Sequence, residues 1–334
     1  MAESSINSFK DLYNKYRYED ESVTYRYLWH YTSVDGLTGI IRDKPCEHKK
    51  LHFWFSRSDC LNDTSEGTHI LFLFRQTCSE LLEQNVISQS FYEAIKGVSI
   101  SNNHLFFYPI PPRDGFAGES MVDVAQCYAY ICSFSMKEDS LDMWRYYSKG
   151  NGGYGLKCFS TLFDTYKKYE YSGYDENAIY CPPRSFKVIY DDNDKKEILT
   201  SIIKDTFSVF TQTESPEENK LLEAKRFIGN ILQVYQFRFK HECFSSEQEY
   251  RFVIYVPVKK PEQLKNEIPS VKYRTQNGII VPYIDITVES SHTCLNEVLI
   301  SPFVNNQCAW QTTYDYLSQC GFNCKVRNSQ LPVR

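Results

Sequence analysis

Strand-like and helix-like segments are interleaved along this chain without a repeating strand–helix–strand rhythm, and that arrangement restricts the fold more than any bulk property. Residues 23–31 (VTYRYLWHY) are β-branched and aromatic and read as a strand. A helix is expected just behind it, with Ser33 as N-cap, Leu37, Ile40 and Ile41 as its apolar face, and Asp43-Lys44-Pro45 as its stop. Further strands are expected at 51–56, 126–135, 154–159, 186–190, 249–256, 278–286 and 297–300. Helices are expected at 70–87, 89–96, 141–147, 195–211, 221–237 and 310–320, after a short leading helix marked by Phe9, Leu12, Tyr13 and Tyr16. Residues 102–119 are rich in Pro and Gly and read as a long loop or flap. Irregular mixing of this kind favours an α+β fold over a doubly wound parallel sheet. The glycines at Gly150, Gly152, Gly153 and Gly155 run into a strand instead of opening a helix, so the phosphate fingerprint of a doubly wound dinucleotide fold is missing.

With 334 residues the chain can bury a sizeable core in one large domain or two modest ones. A net charge of −5 gives no electrostatic reason to expect nucleic acid as a partner. The aromatic fraction of 16% suits either a Tyr-rich sheet surface or a cleft that stacks flat rings. Twelve Cys are scattered without a disulfide-like spacing, and the start, Met1-Ala2-Glu3-Ser4-Ser5, is polar and acidic, so a reducing, cytoplasmic setting is expected. No stretch reaches the roughly 18 apolar residues of a membrane span, so no membrane partner is expected. Cys320 and Cys324 have no second pair at zinc spacing, and no metal is expected.

Four clusters can carry chemistry. Trp29-His30-Tyr31-Thr32-Ser33 ends a strand ahead of a helix, where a His either contacts a ligand or satisfies a structural bond. Phe53-Trp54-Phe55-Ser56, followed by Arg57, Asn62 and Asp63, joins aromatic faces to a hydroxyl and a guanidinium, or is simply a core strand with a capped loop. Alternation puts Ser133 and Ser135 on one strand face, and their hydroxyls need partners that a ligand can supply. Downstream of them, Trp144 and Tyr147 share a helix face next to Arg145, as core packing or as a stacking surface. Finally, Glu247 and Glu249 flank Gln248 at the entrance to an apolar strand; if the strand has begun, both carboxylates point one way and Arg251 shares their face. A solvated strand edge is the plainer alternative.

Taken together, these residues resemble a bacterial family catalogued as domain of unknown function 2971. The resemblance runs from about residue 25 to 305. It rests on His30-Tyr31-Thr32-Ser33, Gly36-Leu37, Ile40-Ile41, Trp54-Phe55-Ser56, Leu61-Asn62-Asp63, Glu66-Gly67, Cys132-Ser133-Phe134-Ser135, Leu141, Met143-Trp144-Arg145-Tyr146-Tyr147, Gly153-Tyr154-Gly155, Glu247-Gln248-Glu249-Tyr250-Arg251-Phe252, Ile280-Val281-Pro282-Tyr283-Ile284 and Val298-Leu299-Ile300-Ser301-Pro302. That family in turn resembles the ADP-ribosyltransferase superfamily. The resemblance implies a split, mixed β-sheet core with helical insertions near 70–120 and 160–235, spanning 23–305, with a helical lead at 1–22 and a C-terminal helix and tail at 306–334. It implies NAD as the substrate and cleavage of the nicotinamide–ribose bond, by a transferase acting as a toxin or phage-defence effector, or by an NAD glycohydrolase. A catalytically inactive nucleotide-binding sensor is the alternative of another class. By the same resemblance His30 would bind the nicotinamide-side ribose or amide, Ser133 or Ser135 would support that ribose, Tyr147 or Trp54 would stack on the nicotinamide, and Glu249 would be the catalytic carboxylate with Glu247 beside it. The middle motif of the triad is either Trp54-Phe55-Ser56 or Ser133-Phe134-Ser135. The whole reading requires Glu249 and His30 to share one pocket floor. The macromolecule that would accept ADP-ribose and the oligomeric state stay open.

Overall fold

In the computed structural model, residues 6–17, 26–61, 68–100, 105–109, 124–148, 152–163, 184–258, 269–276, 278–289 and 294–332 are described. The chain is mixed α+β and divides into two compact units. The first gathers Met1–Asp20, Asn62–Leu105 and Val188–Ser245; the second gathers Glu21–Leu61, Phe106–Lys187 and Ser246–Arg334.

The first unit is helical: α1 (Phe9–Arg17), α3 (Thr68–Glu83), α4 (Gln89–Ile95), α6 (Asp192–Gln212) and α7 (Glu217–Tyr235). Its segments include most of the regions expected as insertions, together with the leading helix. They share a core in which Phe227 meets Phe9, Tyr13 and Tyr16, while Leu199, Ile203 and Ile231 are buried around it. Local signals explain the helix ends. Asp191 caps α6 by accepting from Asn193 N–H (2.7 Å) and Asp194 N–H (3.2 Å). Ser88 caps α4 through Phe91 N–H, and Asn85 at φ 57° closes α3 short of the expected Ile87.

The second unit is built on the sheet. Its strands are β1 (Tyr27–Ser33), β2 (Lys50–Arg57), β3 (Leu105–Pro109, which starts one residue before the unit boundary), β4 (Val124–Ser135), β5 (Gly153–Phe159), β6 (Arg184–Lys187), β7 (Glu249–Pro257), β8 (Lys272–Gln276), β9 (Ile279–Glu289), β10 (Leu295–Ile300) and β11 (Lys325–Asn328). The main path runs β11-β10-β5-β1-β4-β2-β9-β8, with β7 on β4 and β6 on β7. Only β10 and β11 pair in parallel among the registers described. Two differences from expectation stand out. Residues 105–109, inside the expected flap, form strand β3; the rest of that segment, 102–104 and 110–119, lies outside the described residues. Edge strands β8 and β11 were not legible, because their residues are mostly polar.

One face of the sheet is apolar. Leu28, Phe53, Phe55, Cys132, Phe134, Leu156, Phe252 and Ile284 project from it, covered by Leu37, Ile40 and Ile41 at α2 (Val34–Ile40) and by Leu317 of α8 (Ala309–Gln319). Ser33 caps α2 as expected, accepting from Gly36 N–H at 3.2 Å. The opposite face carries Trp29 and Tyr31 packed against Met143 and Trp144 of α5 (Leu141–Tyr147). β1 and β5 are held close at Gly153, opposite Ser33: a Cβ there would run into the Thr32 carbonyl and lie 2.7 Å from Ser148 Cβ. Gly153→Ala is therefore expected to destabilise the fold by about 2 kcal/mol or more, read as a lowered denaturant midpoint. An unchanged midpoint would contradict the packing described.

Candidate functional site

Strand β4 organises the site. Along one edge it pairs with β7 from Cys127↔Pro257 to Ser135↔Glu249. Its other edge is shared. β1 meets it at Trp29↔Ser135, and β2 meets it at Ser56↔Ile131 and Arg57↔Tyr130. The sheet therefore forks over Cys132, Ser133 and Phe134. Even-numbered residues at the end of β4 turn their backbone groups to β7, as Met136 N–H donating to the Gln248 carbonyl shows (2.8 Å). Ser133 thus directs its carbonyl into the fork, where neither β1 nor β2 is paired with it. His30 fills the gap: its Nδ1 lies 3.0 Å from the Ser133 carbonyl oxygen. A carbonyl only accepts, so Nδ1 carries the proton and Nε2 presents a lone pair. The ring is enclosed by Phe53 (5.5 Å between centroids) and Phe134 (5.1 Å). Burial pushes its pKa down to about 4, with the Arg274 charge adding to the shift and the Ser133 bond opposing it.

Register then decides which residues share a face, because residues opposite one another in antiparallel strands project to the same side. Trp29, Ser135 and Glu249 lie in one lateral row, and Ser133 and Arg251 in the next. Ser56 shares that side through Ile131, with Trp54 two residues before it. His30, one residue after Trp29, projects the other way, into the Phe53 and Phe134 side. This corrects the expected common floor: the imidazole of His30 and the carboxylate of Glu249 lie on opposite faces of the sheet, since a one-residue step reverses direction along a strand.

The carboxylate has a close partner. Glu249 is 4% exposed and Arg251 1%, and they form a bidentate pair, Nε–Oε1 2.9 Å and Nη2–Oε2 3.0 Å. Arg251 shares the Glu249 face, as alternation from the strand start requires. Glu247 does not follow that alternation. It ends a 3-10 turn (Glu242–Glu247), and Gln248 at φ 43° separates it from the strand. Its carbonyl accepts from Ser135 Oγ at 2.6 Å.

Several expected binding residues are used by the protein itself. The Ser135 hydroxyl donates to Glu247 and accepts from Lys137 N–H (3.1 Å). Tyr31 donates to the Lys137 carbonyl (2.8 Å) and accepts from Ser140 N–H (3.2 Å), so both residues clamp the loop after β4. Trp144 is fully buried, packs edge-on to Tyr31 and donates Nε1–H to Asp139 (2.9 Å). Tyr147 packs beside that cluster, while Arg145 on the same helix is exposed. Arg57 grips Asp59 at 2.7 and 2.8 Å and covers the Tyr128 ring. Thr32 is half-buried at the end of β1. Asn62 and Asp63 lie outside the described residues.

Two residues were missed. Arg274 of β8 donates to Ser56 Oγ (2.8 Å) and lies over the rings of Trp54 (5.1 Å) and Tyr283 (5.5 Å). Tyr283 of β9 stands 4.9 Å from Trp54, opposite Ser56. Tyr283 lies in the expected strand 278–286 and in the Ile280–Ile284 run of the family resemblance, though with no binding role assigned; nothing in the sequence marked Arg274.

Residues 143–252 match the model of the family described as Protein of unknown function (DUF2971). The similarity covers that segment, about a third of the chain. The matched stretch holds the Met143–Tyr147 run and the Glu249–Arg251 pair, and it is narrower than the expected span of 25–305. No curated protein and no solved structure matches the chain. No helix among the described residues is long and apolar enough to cross a membrane. Among the same residues, no group of three or more His, Cys, Asp or Glu is placed to hold a metal ion.

The His30 geometry has a direct spectroscopic consequence. Nitrogen shifts should report an Nδ1–H tautomer that stays neutral from pH 7 down to about 4. A His depressed from 6.5 stabilises the fold above pH 6.5, and that contribution is lost as the pH falls through about 4. An imidazole that titrates near 6.5 would contradict the enclosure.

Proposed function

We propose that this chain is an NAD-consuming enzyme of ADP-ribosyltransferase type, with NAD lying across the polar face of the forked sheet and Glu249 as the carboxylate that promotes cleavage. One observation supports this reading above the rest. Three neighbouring strands present Trp54, Ser56, Ser133, Arg251 and Glu249 on the same face, beside the point where the sheet splits. These include members of both candidate middle motifs and the late glutamate that the resemblance to ADP-ribosyltransferases implies. With a strand spacing near 4.8 Å and about 6.6 Å between alternate residues, Ser56 and Glu249 stand roughly 16 Å apart, a span for an extended dinucleotide rather than a single ring.

In the reaction the nicotinamide C–N bond breaks and its electron pair leaves with nicotinamide, which becomes neutral. The ribose carries the positive charge as an oxocarbenium-like centre, which a nearby carboxylate stabilises. Water, or a nucleophile on an acceptor molecule, then forms the new bond to that carbon and releases its proton. Trp54 supplies a stacking surface and Ser133 a hydroxyl. His30 lies on the other face, so the shared pocket floor that the reading by resemblance required is lost; cleavage is proposed here on Glu249, Ser133 and Trp54 without the imidazole, and His30 locks the fork through Ser133.

A second reading, binding of the nucleotide without turnover, is favoured by the Glu249–Arg251 contact. Both carboxylate oxygens already meet a guanidinium in a nearly inaccessible position, which offsets the negative charge that cleavage would use.

Glu249→Gln separates the two. The enzyme reading predicts that NAD turnover falls by two or more orders of magnitude while binding persists. Absence of turnover in the unmodified protein, with NAD bound, would establish the second reading instead. With NAD labelled on its adenylate, label on protein or nucleic acid supports transfer, and free ADP-ribose as the sole product in the presence of lysate supports hydrolysis.

A further inference from the structure

Among the described residues, Arg274 is a guanidinium without a counter-charge. Its hydrogen bonds go from Nη2 alone, to Ser56 Oγ (2.8 Å) and Gln276 Oε1 (2.9 Å), both neutral groups. Among the described residues no carboxylate forms an ion pair with it, and Nε and Nη1 have no hydrogen-bond partner. Four other arginines of this unit are compensated: Arg42 by Asp285, Arg57 by Asp59, Arg251 by Glu249 and Arg327 by Glu138 and Glu297. Burial lowers the pKa of Arg274, so the charged form lacks part of its hydration. The rings of Trp54 and Tyr283 beneath it return some of that loss as cation–π attraction, and an Arg–aromatic stack with no ligand is the simpler account of those contacts. That account does not use the donors that remain. Ser56 accepts from Arg274, so its own hydroxyl proton is left to donate beside Nε–H and the Nη1 protons. The cluster therefore offers donors and positive charge in one place, next to an indole that is 36% exposed.

We propose that Arg274, Ser56, Trp54 and Tyr283 form a binding site for a phosphorylated nucleotide, with the guanidinium and the Ser56 hydroxyl on phosphoryl oxygens and the Trp54 indole against the base. Phosphoryl is preferred to carboxylate by the geometry of the free donors. Nη2 belongs to both two-pronged edges of a guanidinium, and both of its protons are committed to Ser56 and Gln276. A carboxylate finds neither edge whole, whereas three terminal oxygens can meet separate donors. The base is assigned to Trp54 because its ring is the exposed flat surface bordering the guanidinium. The site concerns binding alone and stands apart from bond cleavage at Glu249.

Calorimetric titration of the full chain with ADP tests the site. The unmodified protein is expected to bind ADP, and to bind inorganic pyrophosphate at least tenfold more weakly. Arg274→Gln is expected to weaken ADP binding at least tenfold with an unchanged melting temperature. Arg274→Lys, which keeps the charge but loses the planar donors, should fall between the two, and it carries the test if the Gln variant fails to fold. Failure of the unmodified protein to bind ADP, unweakened binding in both variants, or pyrophosphate binding as tight as ADP would each overturn the assignment. Glu249→Gln should bind ADP normally. If that variant also retains NAD turnover while Arg274→Gln loses ADP affinity, the cleavage reading falls and the nucleotide site stands.

Discussion

The carbonyl of Ser133 is the constraint on which the second unit turns. It faces an edge of β4 that two strands share, in the interval where neither is paired, and a buried carbonyl left without a donor costs about 1–3 kcal/mol. His30 supplies the donor. That contact fixes the imidazole tautomer and holds the fork open against Phe53 and Phe134. The histidine that looked most like a ligand contact in the sequence thus has a structural bond to one nitrogen and a lone pair on the other.

From the fork follows the division of the sheet into two chemically different faces. The apolar side is filled by phenylalanines and aliphatic residues under α2 and α8. On the polar side Arg251 and Arg274 meet different fates. Arg251 is enclosed with Glu249, and such a pair persists only with good geometry, which the bidentate contact provides. Arg274 is enclosed less and rests on aromatic rings instead of a carboxylate. The guanidinium of Arg274, hydrogen-bonded to neutral groups, is the contact that the proposed phosphate-bearing ligand would use.

Much of this was legible locally and little of it across strands. Ser33 as N-cap, the helix at Leu141–Tyr147 and the strand beginning at Glu249 follow from residue type and short-range periodicity, and each is found as read. The pairing of Glu249 with Arg251 follows from alternation alone. By contrast, the relation of His30 to Glu249 depends on three registers that no local pattern encodes, and one residue of slip inverts it. Glu247 was misplaced for a related reason: a positive φ at Gln248 interrupts the alternation, and Gln is no signal for that conformation. Strand β8 went unseen because Lys272, Tyr273, Thr275 and Gln276 are exposed at the sheet edge, and Arg274 was lost with it. The helical unit draws on three separated segments, a grouping set by packing of Phe227 and its neighbours rather than by any linker in the sequence.

The most direct test of the account is a crystal structure of the Glu249→Gln variant with NAD bound. The dinucleotide should lie along the face that carries Trp54, Ser56 and Ser133, with its nicotinamide ribose against residue 249 and its phosphates toward Arg274. NAD found on the Phe53 and Phe134 side of the sheet, or away from the fork altogether, would contradict it.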